Sequence, residues 1–422
     1  MRTGVPAGGR PRPPPARELA VSFHFTSGAT LDSFFIVDWP TDPVESDRRF
    51  VPPFCPRRHC PEHRRTRPGY RFVRYGTYST LQQARIPRFR CATCRRTFSR
   101  QTFATSYYLK RRRLLLPIAA GLVAGSANRQ IARSLSCAPT TVARQTARLG
   151  RHAILLLTRA LDHLAGKVAE PFVLDHFETF EFTQDYPFGV ATPVGADSWF
   201  VYALDPVPHA RTGKRTPALR RRIATRPQRP NHGGYVGSTR RILDLLVRCV
   251  EDGRTLRIRG DGHPAYDAAT RRHPDRERFE LGRFPNPRRG PKGSPRSPEA
   301  IARDTAMFPV DLLHKLLRHT GAHYRRETIA FARRINAAME RLFLTAIWRN
   351  FVKRRSERKP RPQTPASWLG LADAPWTWGR VMARRLFPVR QPVPPLWDLL
   401  YRRQWETPVL PRNATHDAAL AF

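Results

Sequence analysis

Residues 259–266, RGDGHPAY, follow the short run RTLRI (254–258) and set one carboxylate, Asp261, between two glycines. The run has the β-branched and alternating character of a strand. Glycine on each side lets the backbone turn sharply and leaves the Asp261 carboxylate uncrowded at the strand's end. Alone, a Gly-Asp-Gly is most simply a turn, so its meaning depends on what surrounds it.

Upstream, PFVLDHFETFEF (171–182) reads as a strand ending near Asp175, and FGVATPVGA with DSWFVYALDPV (188–207) as an antiparallel hairpin. STRRILDLLVRCVEDG (238–253) has the spacing of an amphipathic helix. Downstream, VDLLHKLLRH (310–319) reads as a helix beginning at Asp311, with Leu312, Leu313, Leu316 and Leu317 on one face. At about 100° per residue, Asp311, His314, Lys315 and Arg318 fall on the opposite face. Strands alternating with helices predict an α/β domain over residues 170–355. Three carboxylates, two at strand ends and one on a following helix, are hard oxygen donors of the kind that Mg²⁺ or Mn²⁺ requires.

Charge narrows the partner. The chain of 422 residues carries 75 Lys+Arg against 33 Asp+Glu, a net charge of +42, with 40% hydrophobic residues. That field condenses onto polyanions, and the apolar content is enough for folded cores rather than a basic tail. The expected partner is a polyanion such as nucleic acid. No apolar run reaches the ~18 residues that cross a bilayer, and the first residues lack the apolar stretch of a signal peptide, so a cytoplasmic, membrane-free protein is expected. Residues 1–20, rich in Pro, Gly and Arg, read as a disordered basic tail; 21–53 suggest a hairpin.

Six cysteines in such a chain favour metal over disulfides. FCPRRHCPEH (54–63) and RFRCATCRRTF (88–98) give Cys55-x4-Cys60 and Cys91-x2-Cys94 with strand-like sequence between, the pattern of a zinc ribbon holding Zn²⁺ in four thiolates. His59 and His63 are alternative ligands to Cys60. This small β segment spans 21–105. Residues 106–169 follow with a helix through Ile131 and Leu135, a turn at SCAP, and a second helix from Pro139 and Thr140 with Val142 inward. That is a helix-turn-helix, whose polar set Thr140, Thr141, Arg144, Gln145 and Arg148 suits a major groove. Cys137, in the turn, reads as a small buried residue.

Zinc ribbon, helix-turn-helix and carboxylate domain in this order resemble bacterial insertion-sequence transposases of the DDE type, from about residue 53 to 353. LDHFETF resembles that family's first-acid motif, with Asp175 in the catalytic position and Glu178 beside it; GDGHPAY resembles the second, with Asp261. VDLLHKLLRHTGAHYRRETIAFARR resembles the third-acid helix, with Asp311 where the family carries Glu and His314 where it carries Asn. Glu299, Glu327 and Glu340 are the alternative third acids. The resemblance implies a multidomain α/β protein with a ribonuclease-H-like catalytic domain and mixed sheet. It also implies Mg²⁺ on Asp175, Asp261 and Asp311, Mg-dependent cleavage and strand transfer of double-stranded DNA at element ends and target, a homodimer or larger assembly on DNA, and a place on the bacterial nucleoid. A catalytically inactive DNA-binding regulator is the alternative.

Between the first two acids, residues 211–240 are too polar and Pro-rich to pack and read as a basic arm on DNA; 285–299 read as a second linker, with Lys315 and Arg318 near the phosphates. The basic segment from 327 onward predicts a long helix or helix pair, and residues 356–422 a C-terminal extension whose Trp368, Trp376 and Trp378 suit core packing. Asn413-Ala-Thr415 matches a glycosylation triplet by chance.

Overall fold

In the computed structural model the described residues are 50–64, 69–81, 83–210, 213, 215–288, 290–291, 293–358 and 363–406. The tail expected over 1–20, nearly all of the 21–53 hairpin and the 413–415 triplet lie outside them.

The first strands, β1 (Phe72–Thr80), β2 (Gln83–Cys91) and β3 (Thr97–Ser99), form an antiparallel sheet in that order. Its inner face is aromatic: Phe54, Phe89, Phe98 and Phe103 meet edge to face or stacked, with centroids 5.4–5.9 Å apart. A few buried rings supply about 2 kcal/mol each, while ordering every residue from 50 to 103 costs about 1 kcal/mol or more apiece. This sheet therefore depends on help beyond its own core.

Three helices follow: α1 (Leu115–Val123), α2 (Asn128–Ser134) and α3 (Pro139–Leu164). Gln130 caps α2 by accepting from the Ala127 amide at 2.7 Å, and Pro139 starts α3 where its missing N–H costs nothing. Val142 is buried as the spacing predicts. The helix does not stop after its first turns. It runs 26 residues, about 39 Å, and its second half is buried from Ala153 to Leu157. Gly150 is where α8 (Ile335–Ile347) crosses it, since a side chain there would collide with Glu340.

The second sheet contains β4 (Phe172–Phe180), β5 (Pro187–Gly195), β6 (Asp205–Pro208), β7 (Leu256–Gly260) and β8 (Phe279–Arg283), ordered β6-β5-β4-β7-β8. β4 pairs antiparallel with β5 and parallel with β7, and β7 parallel with β8. Being central, β4 is covered on both faces over most of its length, opening with the apolar run Phe172–Leu174 and then carrying Asp175, His176, Glu178 and Thr179. Between β6 and β7 come α4 (Pro217–Ala224) and α5 (Gly234–Cys249), then α6 (Pro264–Arg271) after β7 and α7 (Pro298–Thr320) after β8. His176 of β4 meets Tyr235 of α5 and Tyr266 of α6, while Phe177 meets His314 of α7, so the helices cover opposite faces.

Three expectations need correction. The first strand does not end near Asp175 but continues to Phe180. The third-acid helix does not begin at Asp311. It starts at Pro298, capped by Ser297, and carries Pro309 inside it, so the 285–299 linker is shorter than expected. The 211–240 arm holds the helix α4 and is tied down by Arg226 to Asp185 at 2.7 Å and by Arg229 to the buried Glu181 at 3.0 Å.

The C-terminal part, with α9 (Pro365–Trp368), α10 (Trp378–Val381) and α11 (Pro395–Tyr401), is helical and straps the rest together. Phe387 enters the aromatic core of the first sheet, Arg385 donates to the Thr102 carbonyl at 2.7 Å, His152 Nε2 donates to the Val381 carbonyl at 2.8 Å, and Trp397 donates to the Leu204 carbonyl at 3.1 Å. Trp376 stacks on Phe351 at 4.5 Å. Trp368 is largely exposed with Arg355 over its ring at 4.3 Å. Among the described residues no helix is long and apolar enough to cross a membrane.

Candidate functional sites: a thiol cluster and an acid cluster

Cys55 and Cys60 sit on the turn before β1, Cys91 ends β2, and Cys94 lies in the turn toward β3. Their four sulfurs lie within 4.8 Å of one another, with Cys55–Cys94 at 3.7 Å and Cys60–Cys91 at 3.8 Å. Four sulfurs at ~2.3 Å from a tetrahedral Zn²⁺ are ~3.8 Å apart by geometry alone. Burial pushes the Cys55 thiol up and the Cys60 thiol to about 11, so thiolates at these two positions need a cation beside them. The residues fit a structural Zn²⁺ site. The two histidines do not join it: His63 donates through Nδ1 to the Cys55 carbonyl at 2.8 Å, and His59 is exposed beside Arg58.

The acids are placed by sheet register. Leu174 of β4 pairs with Gly260 of β7 in parallel, so the next residues, Asp175 and Asp261, emerge side by side where β7 ends. The two glycines have separate reasons. A side chain on Gly260 would come within 2.9 Å of the Tyr266 ring, and Gly262 has φ +85°, which only glycine adopts without strain. The Asp261 carboxylate then accepts from the His263 amide at 3.0 Å, closing the turn. α7 packs across β4, β5 and β7 and brings Asp311 and His314 to the same place. His314 Nε2 meets the Thr192 hydroxyl at 2.8 Å, and its Nδ1 stands 3.6 Å from Asp175.

Burial, then the neighbouring Asp261, with Asp311 adding, push the Asp175 carboxyl up to about 7; the His176 amide and Arg303 oppose the rise. Burial, helped by Arg318, holds the His314 ring neutral, with its pKa lowered to about 3. Asp175 thus feels both of the other predicted acids. They are not gathered as the sulfurs are: among the described residues the four cysteines are the group whose ligand atoms lie within 4.8 Å. Arg303, two turns before Asp311 on α7, forms a salt bridge with the Asp311 carboxylate.

The alternative third acids lie elsewhere. Glu340 is buried on α8 against Arg403 at 3.0 Å. Glu299 opens α7, twelve residues or about 18 Å of helix before Asp311. Glu327 is exposed in the loop after α7. Glu178, three residues beyond Asp175 and so on the other face of the strand, accepts from Tyr235 at 2.5 Å and from His209 at 2.7 Å. Arg318 is not free for phosphates. It donates to the Tyr324 carbonyl at 2.6 Å and to the Glu178 carbonyl, and lies over Phe177. Lys315 is exposed.

On the helix-turn-helix, Thr140 and Arg144 are exposed and Thr141 half-exposed. Gln145 and Arg148 are not on that surface. Gln145 is buried and reaches the Arg111 carbonyl at 3.5 Å, and Arg148 donates to the Thr105 and Tyr107 carbonyls at 2.9 and 2.8 Å, because the segment after β3 folds over them. An open depression beside the turn instead adds Arg111, Arg129 and Arg133, with Cys137 half-buried in its lining. Sequence reasoning also missed His176, His209 and Tyr235, whose places depend on strand pairing between distant segments.

Compared with protein-family models, curated proteins and solved structures, the chain finds no match.

Proposed function

We propose that this chain is a DNA transposase of an insertion sequence, with a ribonuclease-H-like catalytic domain, that cuts DNA at the element's ends and joins the freed strand to a target. The observation that carries the reading is the convergence of Asp175 and Asp261, on adjacent parallel strands, with Asp311 on the helix packed across them.

The donor set suits Mg²⁺ or Mn²⁺: oxygen ligands only, with an Asp175 carboxyl raised by burial and by its acidic neighbours, both of which a divalent cation would offset. Asp175, Asp261 and Asp311 would hold it. Such ions supply an activated oxygen nucleophile and neutralise charge on the leaving oxygen. The chain's own part is positional. Gly260 and Gly262 hold Asp261 at the tip of its strand, and Thr192, itself bonded to His314, donates to the backbone carbonyl of Asp175.

DNA as substrate is supported by charge placement. From His63 to Leu161, through the cysteine ribbon and the helix-turn-helix, the chain has no Asp or Glu, so a phosphate backbone meets no repulsion there. Thr140, Thr141 and Arg144, with Arg129 and Arg133, are the residues proposed for the groove. Strand transfer requires two ends held together, which implies a homodimer or larger assembly on DNA.

The test is cleavage and joining of labelled duplex DNA carrying the element's ends, with Mg²⁺ or with EDTA, by the wild type, Asp261→Ala and Asp311→Ala. Joined products that need Mg²⁺ and vanish in both variants are expected; tight binding without cleavage in any sample would overturn the reading. The Arg303–Asp311 pair and His314 in place of Asn favour one second reading, a DNA-binding regulator that keeps the fold and has lost the chemistry.

A further inference from the structure

On the face of β4 away from α7, three rings form a row leading out to solvent. His176 is buried and holds the Tyr266 hydroxyl through Nδ1 at 3.0 Å. Tyr235 packs on His176 with centroids 4.4 Å apart, and His263 stacks on Tyr235 at 5.0 Å and 23°. His263 is exposed and lies two residues beyond Asp261.

Each ring is braced. The Tyr235 hydroxyl donates to Glu178, whose other oxygen accepts from His209 Nε2, and His209 Nδ1 donates to the Ala210 carbonyl. With an acceptor facing each ring nitrogen, the protonated form of His209 is the favoured one. Burial works against that charge, but the Glu178 carboxylate outweighs it and lifts His209 above its ordinary pKa. His263 Nδ1 accepts from the Ala265 amide at 3.1 Å, capping α6 and fixing the ring plane. The Glu178 contacts thus help hold rigid an aromatic row that ends two residues beyond Asp261. Core packing alone does not need a pair of stacked rings that ends in water.

We propose that His263, backed by Tyr235, is a stacking platform for an unpaired nucleobase of the DNA strand next to the phosphate handled by Asp175 and Asp261. The assignment rests on the transposase reading for its place in a reaction, though not for its physics. Every base has a π-face, and a preorganised aromatic ring binds it with little dependence on sequence. Cutting and joining at a strand end exposes such a base, and holding it fixes the flanking phosphate. His263 is therefore a positioning residue, and the Glu178–Tyr235–His209 contacts keep it still.

The experiment uses the full chain and a nicked duplex with one unpaired 2-aminopurine beside the nick, read by fluorescence, while Mg²⁺-dependent cleavage of the same duplex is followed with Asp261→Ala as reference. His263→Asn keeps the helix cap and removes the ring; His263→Phe keeps the ring and removes the cap. Quenching in the wild type and in His263→Phe, with affinity for the unpaired-base duplex about tenfold weaker in His263→Asn and unchanged for intact duplex, is expected. Equal quenching in His263→Asn would overturn the platform, as would no quenching on a duplex that the wild type cleaves; in the latter case the transposase reading stands. Ring-dependent quenching without cleavage in any sample would keep the platform and overturn the transposase.

Discussion

In the cysteine cluster the sulfurs lie 3.7 and 3.8 Å apart inside a shell of phenylalanines. In the acid cluster the carboxylates stand wider, Asp175 half-buried within β4, Asp261 half-buried just past the end of β7 and Asp311 paired with Arg303. The contrast follows from what each set of ligands is for. A closed tetrahedral set has no room for a fifth group and turns metal binding into folding energy. The oxygen set instead carries an unfavourable charge state, the carboxyl of Asp175 being raised to about 7 by burial first and by the neighbouring Asp261 and Asp311 second. The first cluster needs distance, the second needs vacancy.

The comparison breaks most visibly by removing the first metal. Strong chelation, or Cys91→Ser, is expected to unfold the β1–β3 ribbon and to free the C-terminal strap, because Phe387 and Arg385 are anchored there; structural zinc contributes about 10 kcal/mol or more. Hydrogen exchange should show protection lost at residues 50–103 and 381–390 together, with the β4–β8 sheet still protected. Loss confined to the ribbon would separate the strap from it.

Gly260→Ala should cost about 1–3 kcal/mol, since the new methyl meets the Tyr266 ring. Urea unfolding measures it, and a cost below a few tenths would show that the tyrosine gives way. Next comes pH. Asp175 has a folded pKa above its unfolded one, so it stays protonated when folded and is charged when unfolded between about 4 and 7. Unfolding then releases a proton, and stability falls as pH rises through that window and levels off above about 7. Without divalent cation, Asp175→Asn should flatten this slope and raise Tm at pH 8. An unchanged slope would place the charge elsewhere. Smallest is Arg303→Gln: freeing Asp311 should tighten divalent-cation binding by up to about tenfold, read by calorimetry, while leaving the zinc content unchanged.

The two clusters also differ in how far the sequence reveals them. Cysteine spacing reports a zinc ribbon because ligand pairs on tight turns are local. The strands of Asp175 and Asp261 are legible from apolar runs and glycine, and the turn before Pro139 from its caps. Contacts across long separations are not legible. Nothing local in α3 tells that residues 105–111 cover Gln145 and Arg148, or that Arg385 binds a carbonyl 283 residues away. The start of α7 was hidden for another reason: Pro309 imitates a boundary, while the true one, Ser297 accepting from the Ala300 amide with Pro298 following, lies in a Pro-rich stretch that reads as linker.

The most direct measurement of the two-cluster account is metal content against Mn²⁺ titration, followed by electron paramagnetic resonance, on the wild type and on an Asp175→Asn, Asp261→Asn double variant. The account predicts one zinc per chain that survives dialysis in both proteins, and Mn²⁺ bound by the wild type and lost from the double variant. Equal Mn²⁺ binding in the two would contradict it, because the acids that β4 and β7 bring together would then hold no cation.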